Sequence, residues 1–269
     1  EAGLGGRYDA TNVIPSKVQA LTSVGLEHTR WLGPTLRDIA EEKLAVVGEH
    51  GKLVVGALDP DSEAVAERVA RERHAELIHA PADVGVKLRA PGGFQRLNFA
   101  MAAAAAEAFV GELRPEAVAA AAAETTIPGR VEVVDDRPLT VYDGAHNPAG
   151  AAALAASLDE VFGERRPRVG VVGVLEDKDA AGMLSQLLPR LDRVIYTRSR
   201  NPRSLSPATL ESLAEKLQGP PAETVADPRA AVARARELAG PEGAVLATGS
   251  IYLIADLVSV DPGRRASML

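Results

Sequence analysis

The sequence contains no cysteine. That excludes disulfides, iron–sulfur clusters, thiolate zinc sites and a cysteine nucleophile within its 269 residues, and it fits a reducing compartment. Aromatic residues make up only 3%. The core must therefore be assembled from Ala, Val, Leu and Ile, and aromatic platforms for stacking bases are not expected. No stretch approaches the roughly 18 consecutive apolar residues of a membrane span. The longest candidate, Leu97 to Val110, is mostly alanine and carries Glu107. There is no basic n-region followed by an apolar h-region, hence no signal-peptide pattern. The chain opens Glu1-Ala2-Gly3-Leu4 without a Met, and no G-x-x-x-x-G-K-[ST] phosphate loop occurs in it. Positive charge is also short: 30 Lys and Arg against 37 Asp and Glu give a net charge of −7. That argues against a surface built to neutralise a phosphate backbone.

What remains is ordinary globular material, 46% hydrophobic and 25% charged. At about 150 residues per domain, the length predicts roughly two domains. Val18–Ser23 reads as a short strand. The spacing of Leu36, Ile39, Ala40 and Leu44 reads as a helix opened by Pro34-Thr35 and stopped by Gly48. Strand Lys52–Leu58, a charged amphipathic helix over Asp61–Ala75, and a strand at Glu76–His79 follow. Helices are expected over Gln95–Phe109 and Pro115–Ala123. After Val131 strands and helices alternate regularly. Strands are predicted at Leu139–Asp143, Arg168–Val174, Arg193–Thr197 and Ala244–Thr248. Helices are predicted at Ala149–Val161, Asp179–Leu188, Pro207–Leu217 and Pro228–Leu238. That rhythm implies an α/β fold with a mostly parallel sheet joined by βαβ crossovers. Thr-Thr-Ile-Pro-Gly-Arg at 125–130 interrupts an alanine-rich helix and marks the boundary, giving domains 1–127 and 128–269.

Chemistry concentrates at a few places. Three glycines in the first six residues allow close backbone approach to a ligand, although a glycine-rich surface turn reads equally well. Ser23-Val-Gly-Leu-Glu-His28 places an acid and an imidazole after a strand, where open α/β sheets bind ligands. His28 has the chemistry to hold a metal beside a carboxylate, and a solvated loop histidine is the alternative. Trp31 reads as a packing residue, as do His50, His74 and His79 or else as surface. Lys43 sits among glutamates on a helix, with nothing local to distinguish it from a surface lysine. Gln95-Arg-Leu-Asn98 opens a helix with amides able either to read an adenine edge or to cap the backbone. The sharpest segment is Asp143-Gly-Ala-His146-Asn147-Pro148 at a strand-to-helix turn. Capping explains Asn147 with Pro148 at the first helical position. It does not explain Asp143 and His146 together. Asp177, Asp179 and Ser250 follow two other strand ends, where helix capping is the plain alternative.

Taken in order, several motifs resemble the folylpolyglutamate synthase/dihydrofolate synthase family of the Mur ligase superfamily. They are Glu1–Val13, Thr22–Gly33 with Lys43, Gln95–Asn98, Pro128-Gly129-Arg130, Asp143–Pro148, Asp177-Lys178-Asp179 and Thr248-Gly249-Ser250. The resemblance spans essentially the whole chain. It implies part of a P-loop-type central ATPase domain followed by a C-terminal Rossmann-like domain. It also implies ATP-dependent ligation of L-glutamate to a folate or dihydropteroate carboxylate through an acyl phosphate. Such chemistry asks for positioning and charge neutralisation rather than a protein nucleophile.

By the same resemblance, Glu1 and His28 match the ligands of Mg²⁺, with phosphate oxygens and water completing its octahedron. Lys43 matches a lysine carbamylated on its amine, and is read with His146 as catalytic. Asn98, Arg130 and Asp143 match ATP contacts. His146 and Ser250 match the glutamate site, with His146 also near the phosphates. The resemblance implies a cytoplasmic monomer with no nucleic-acid or membrane partner. Two departures stand out. Phe94 occupies a position where the family often has His. The family's phosphate loop, which would lie upstream of Glu1, is missing, so the chain is expected to be a fragment, inactive in isolation. Rival readings are a Mur-type ligase acting on a cell-wall precursor and a non-catalytic nucleotide-binding module.

Overall fold

The structure, a computed structural model, describes residues 2–259. The chain forms two compact units. Unit 1 comprises the described residues of Glu1–Arg89 and Gln95–Glu124, and unit 2 those of Ala90–Phe94 and Thr125–Leu269.

Unit 1 is built on a three-stranded parallel sheet in the order β1 (Val18–Leu21), β2 (Lys52–Val55), β3 (Glu76–His79). The crossovers are helical. A single turn, α1 (Thr29–Leu32), precedes α2 (Leu36–Leu44), and α3 (Pro60–Glu72) joins β2 to β3. Thr35 and Asp38 start α2 with a capping box, each side chain serving the other's backbone amide. Asp59 caps α3 with Pro60 behind it. Leu21, Ala40, Leu44, Leu53, Val55 and Val65 form the core between sheet and helices. The alanine-rich segments form α4 (Gly93–Val110) and α5 (Pro115–Glu124).

Unit 2 carries a six-stranded sheet, β4-β5-β9-β6-β7-β8. Its strands are β4 (Glu132–Asp136), β5 (Leu139–Tyr142), β6 (Arg168–Val172), β7 (Arg193–Tyr196), β8 (Ala222–Thr224) and β9 (Ala244–Thr248). All pairings are parallel except β4 with β5. Helices α6 (Pro148–Phe162), α7 (Ala180–Leu187), α8 (Pro207–Lys216), α9 (Pro228–Ala239) and α10 (Ile251–Val258) complete it. The period-2 alternation of a strand sorts side chains to two faces. Ala244 and Leu246 of β9 join a core with α6, α7 and α8, whereas Val245 and Ala247 join one with α9 and α10. Both faces being covered, β6 and β9 are buried along their whole length, which is why they read as continuous apolar runs.

The antiparallel β4 was not expected. Its sequence Glu-Val-Val-Asp-Asp is largely exposed at an edge, so it lacks an apolar signature. The three-residue β8 and helix α10 were also unforeseen.

Candidate functional site

In unit 2 the strand ends bring four of the expected residues together. β5 pairs with β9, and β9 with β6, in register. The Asp143 amide donates to the Ala247 carbonyl at 2.9 Å, and that of Gly173 to Thr248 at 3.1 Å. The C-terminal ends of three neighbouring strands are therefore level. The loops leaving β5 and β9 carry Asp143, His146 and Ser250 there. Arg130 joins them because the Gly144 amide donates to the Gly129 carbonyl at 2.8 Å. Ile251, next to Ser250, lies against Gly144, 3.2 Å from where a Cβ would stand.

Asp143 is buried, 3% exposed. Its Oδ1 accepts the Ala145 amide at 2.7 Å and its Oδ2 the Val131 amide at 2.9 Å. Burial pushes its pKa up, against the lowering effect of those two amides and of the charges of Arg130 and His146. His146 is half-buried, with Nδ1 3.0 Å from the Gly144 carbonyl. A carbonyl only accepts, so Nδ1 carries a proton and donates to it. Nε2 has no partner among the described residues. Ser250 is buried and caps α10, accepting the Tyr252 amide at 3.1 Å. Asn147 caps α6 and Asp179 caps α7, so capping accounts for both. Asp177 lies 3.6 Å from both Lys178 and Arg203.

In unit 1, Glu1 lies outside the described residues. His28 is exposed, in left-handed backbone at φ 51°, heading α1. Its ring makes no hydrogen bond or ion pair among the described residues. Lys43, in the last turn of α2, likewise pairs with no carboxylate there. It lines a cavity of about 680 Å³ together with Thr11, Asn12, Gln19 and Ser23. Among the described residues no three His, Asp or Glu side chains are grouped to hold a metal. Asn98 of α4 is exposed and donates to Gln95 Oε1 at 3.2 Å; Gln95 itself is buried.

Two expectations about unit 1 are corrected. Of the opening glycines, Gly6 approaches the backbone of α2 rather than a ligand. A Cβ on Gly6 would stand 2.6 Å from the Glu42 carbonyl oxygen and 2.8 Å from that of Lys43. Trp31 does not pack. It is 68% exposed, with the Arg30 guanidinium 5.2 Å from its ring centre. His50, His74 and His79 are surface residues, and His79 Nε2 lies 2.6 Å from Glu63.

Two features escaped sequence reasoning. Gln19 is buried in β1 with Oε1 unpartnered; a lone glutamine in an apolar strand was the available signal. A second cavity, about 510 Å³, lies beyond β7 and is lined by Arg198, Arg200 and Asn201 among others. The polar run after that strand followed the same rule as the other strand ends.

The sequence pattern of the Mur ligase, glutamate ligase domain matches residues 129–251. The dihydrofolate synthase/folylpolyglutamate synthase of Escherichia coli is 32% identical over 99% of this chain and 65% of its own length. The Mycobacterium tuberculosis folylpolyglutamate synthase complexed with ADP and AMPPCP superposes with a TM-score of 0.86 at 32% identity, over 99% of this chain and 68% of that one. The bifunctional folylpolyglutamate synthase/dihydrofolate synthase of Yersinia pestis complexed with AMPPNP and Mn ion gives 0.80 at 31% identity, covering 96% and 64%. Against the curated relatives the chain spans from a third to about two thirds of their length. The glutamate ligase domain match lies within unit 2 and the likeness to the solved structures extends through unit 1: the chain belongs to the folylpolyglutamate synthase/dihydrofolate synthase family of Mur ligases.

Proposed function

We propose that the protein joins L-glutamate to the carboxylate of a folate or dihydropteroate at the expense of ATP. The carboxylate is first phosphorylated, the glutamate amine attacks the acyl phosphate, and phosphate leaves. The observation that carries this reading is the convergence of Arg130, Asp143, His146 and Ser250 on level strand ends, inside the segment matching the glutamate ligase domain. The nucleotide complexes of the two structural relatives support it.

In this reading Asn98, Arg130 and Asp143 are each nucleotide contacts. His146 and Ser250 line the glutamate subsite. Nε2 of His146 is the ring atom left to meet the incoming glutamate, since Nδ1 is engaged by the Gly144 carbonyl. His28 is proposed as one ligand of Mg²⁺, with Glu1. An exposed, unengaged imidazole fits that role, though only as one donor among several, the others being phosphate and water oxygens. Bound Mg²⁺ would neutralise phosphate charge. Lys43, unpaired among the described residues at the wall of a cavity of mixed polar and apolar lining, is proposed as the carbamylated lysine.

The test uses the protein as its gene encodes it, supplied with ATP, Mg²⁺, L-glutamate and either dihydropteroate or tetrahydrofolate. Formation of a product heavier by one glutamyl residue, with stoichiometric phosphate release, is expected. Absence of that product together with ligation to a UDP-linked cell-wall precursor would overturn the proposal.

A further inference from the structure

The Gly129-Arg130-Val131 segment is held in a shape it would not take unaided. Val131 has φ 50° and is fully buried. A β-branched residue in left-handed backbone is an outlier, and such backbone persists only where its surroundings over-determine it. Here they do. The Val131 amide donates to Asp143 Oδ2 at 2.9 Å, the Gly129 amide to Glu132 Oε2 at 2.8 Å, and the Gly144 amide to the Gly129 carbonyl at 2.8 Å. The other oxygen of Asp143 takes the Ala145 amide. One carboxylate thus ties the Arg130 loop to the turn that carries His146.

Gly144 completes the device by lacking a side chain. It is not in left-handed backbone, so conformation does not demand glycine there. The guanidinium does set a constraint: a Cβ would stand 2.4 Å from a guanidinium nitrogen of Arg130, the flexible end of that side chain, which would have to move aside, while the Gly129 carbonyl oxygen at 3.4 Å is an ordinary contact. The guanidinium occupies the place where a side chain of residue 144 would be.

We propose that Asp143 and Gly144 act as positioning residues that hold Arg130 at the C-terminal end of β5. The Pro-Gly-Arg and Asp-Gly-Ala-His motifs are then two halves of one clamp. This rests on the reading of Arg130 as a nucleotide contact.

The test is a double-mutant cycle in the protein as its gene encodes it, with binding of AMPPNP and Mg²⁺ measured by calorimetry. Arg130→Ala and Gly144→Ala should each weaken binding about tenfold. The double variant should stay within about twofold of Arg130→Ala, because the clash disappears with the guanidinium. The KM for glutamate should not move in Gly144→Ala. Additive effects, or wild-type binding by Gly144→Ala beside a weakened Arg130→Ala, would overturn the proposal. Asp143→Asn supplies a second arm, since an amide cannot accept from two N–H donors with both its heteroatoms. It should speed hydrogen exchange at the Val131 amide and weaken AMPPNP binding; unchanged exchange sinks the clamp. If Arg130→Ala binds AMPPNP normally, the nucleotide reading fails, and the Val131 exchange still decides the clamp by itself.

Discussion

The two units solve the same problem in opposite ways. In unit 2 the candidate residues are locked by the fold: Asp143 accepts two amides, Ser250 and Asn147 cap helices, and His146 is tied to Gly144. In unit 1 the described candidates are unengaged. Among the described residues, His28 and Lys43 have no side-chain hydrogen bond or ion pair, and Asn98 makes one hydrogen bond, within its own helix. The packing differs in the same sense. Unit 2 has a core on each face of its sheet, whereas unit 1 has one smaller core and leaves Tyr8, Val13, Leu26, Trp31 and Phe109 exposed. A preorganised site holds its geometry before the ligand arrives, while an unengaged one is ordered by what it binds.

The most damaging way to probe this contrast is at the glycines. Gly249 has φ 109°, and a Cβ there would stand 2.6 Å from the Gly173 carbonyl oxygen. Gly249→Ala should cost more than about 3 kcal/mol in urea unfolding. Gly85, in unit 1, also has positive φ but nothing within 4 Å; Gly85→Ala should cost about 1 kcal/mol. Equal costs would break the comparison.

Next come the candidate residues themselves. Ser250→Ala removes a buried cap and should lower stability by about 1 kcal/mol along with activity. His28→Ala and Lys43→Ala should leave the melting curve within about 0.5 kcal/mol of wild type while ligation falls sharply. A stability loss at Lys43 as large as at Ser250 would mean that unit 1 is organised as unit 2 is.

The pH dependence is the subtlest probe. Asp159 and Asp192 are held below the usual carboxylate range by Arg168, Arg166 and the Arg168 amide. The stability they give is present above that range and is lost as pH falls through their folded values. Asp143 has the opposite sign. Its raised pKa means the folded state binds its proton more tightly, so its contribution declines as pH rises from the ordinary carboxylate range through the folded value. Circular-dichroism unfolding of Asp143→Asn should therefore show a stability–pH curve that rises more steeply than wild type over that window. A parallel curve would remove Asp143 from the account.

How much of this the sequence disclosed follows from what local pattern encodes. Buried parallel strands announce themselves as apolar runs, so β5, β6, β7 and β9 were located within two residues. The exposed β4 had no such signature, and β8 was too short to have one. The strand-end rule picked out Asp143, His146 and Ser250, because the ends of parallel strands in one sheet must lie level. It could not reveal that Asp143 turns inward to Val131, since that bond depends on a left-handed backbone twelve residues away. Nor could it show that Gly6 lies against the backbone of α2, a contact fixed only by tertiary packing. The role of Lys43 had no local signal at all. Family likeness motivated it, and the cavity beside it is the first physical reason to look there.

The exposed Trp31 has an optical consequence. It is the chain's only tryptophan, so indole emission originates entirely in unit 1, three positions from His28 and beside the Arg30 guanidinium. Unit 2, with all its buried strands, contributes nothing at those wavelengths. A chain so poor in aromatic residues thus carries a single-site fluorophore at the place where a cation is proposed to bind, and titration with a divalent ion can be followed there without a label.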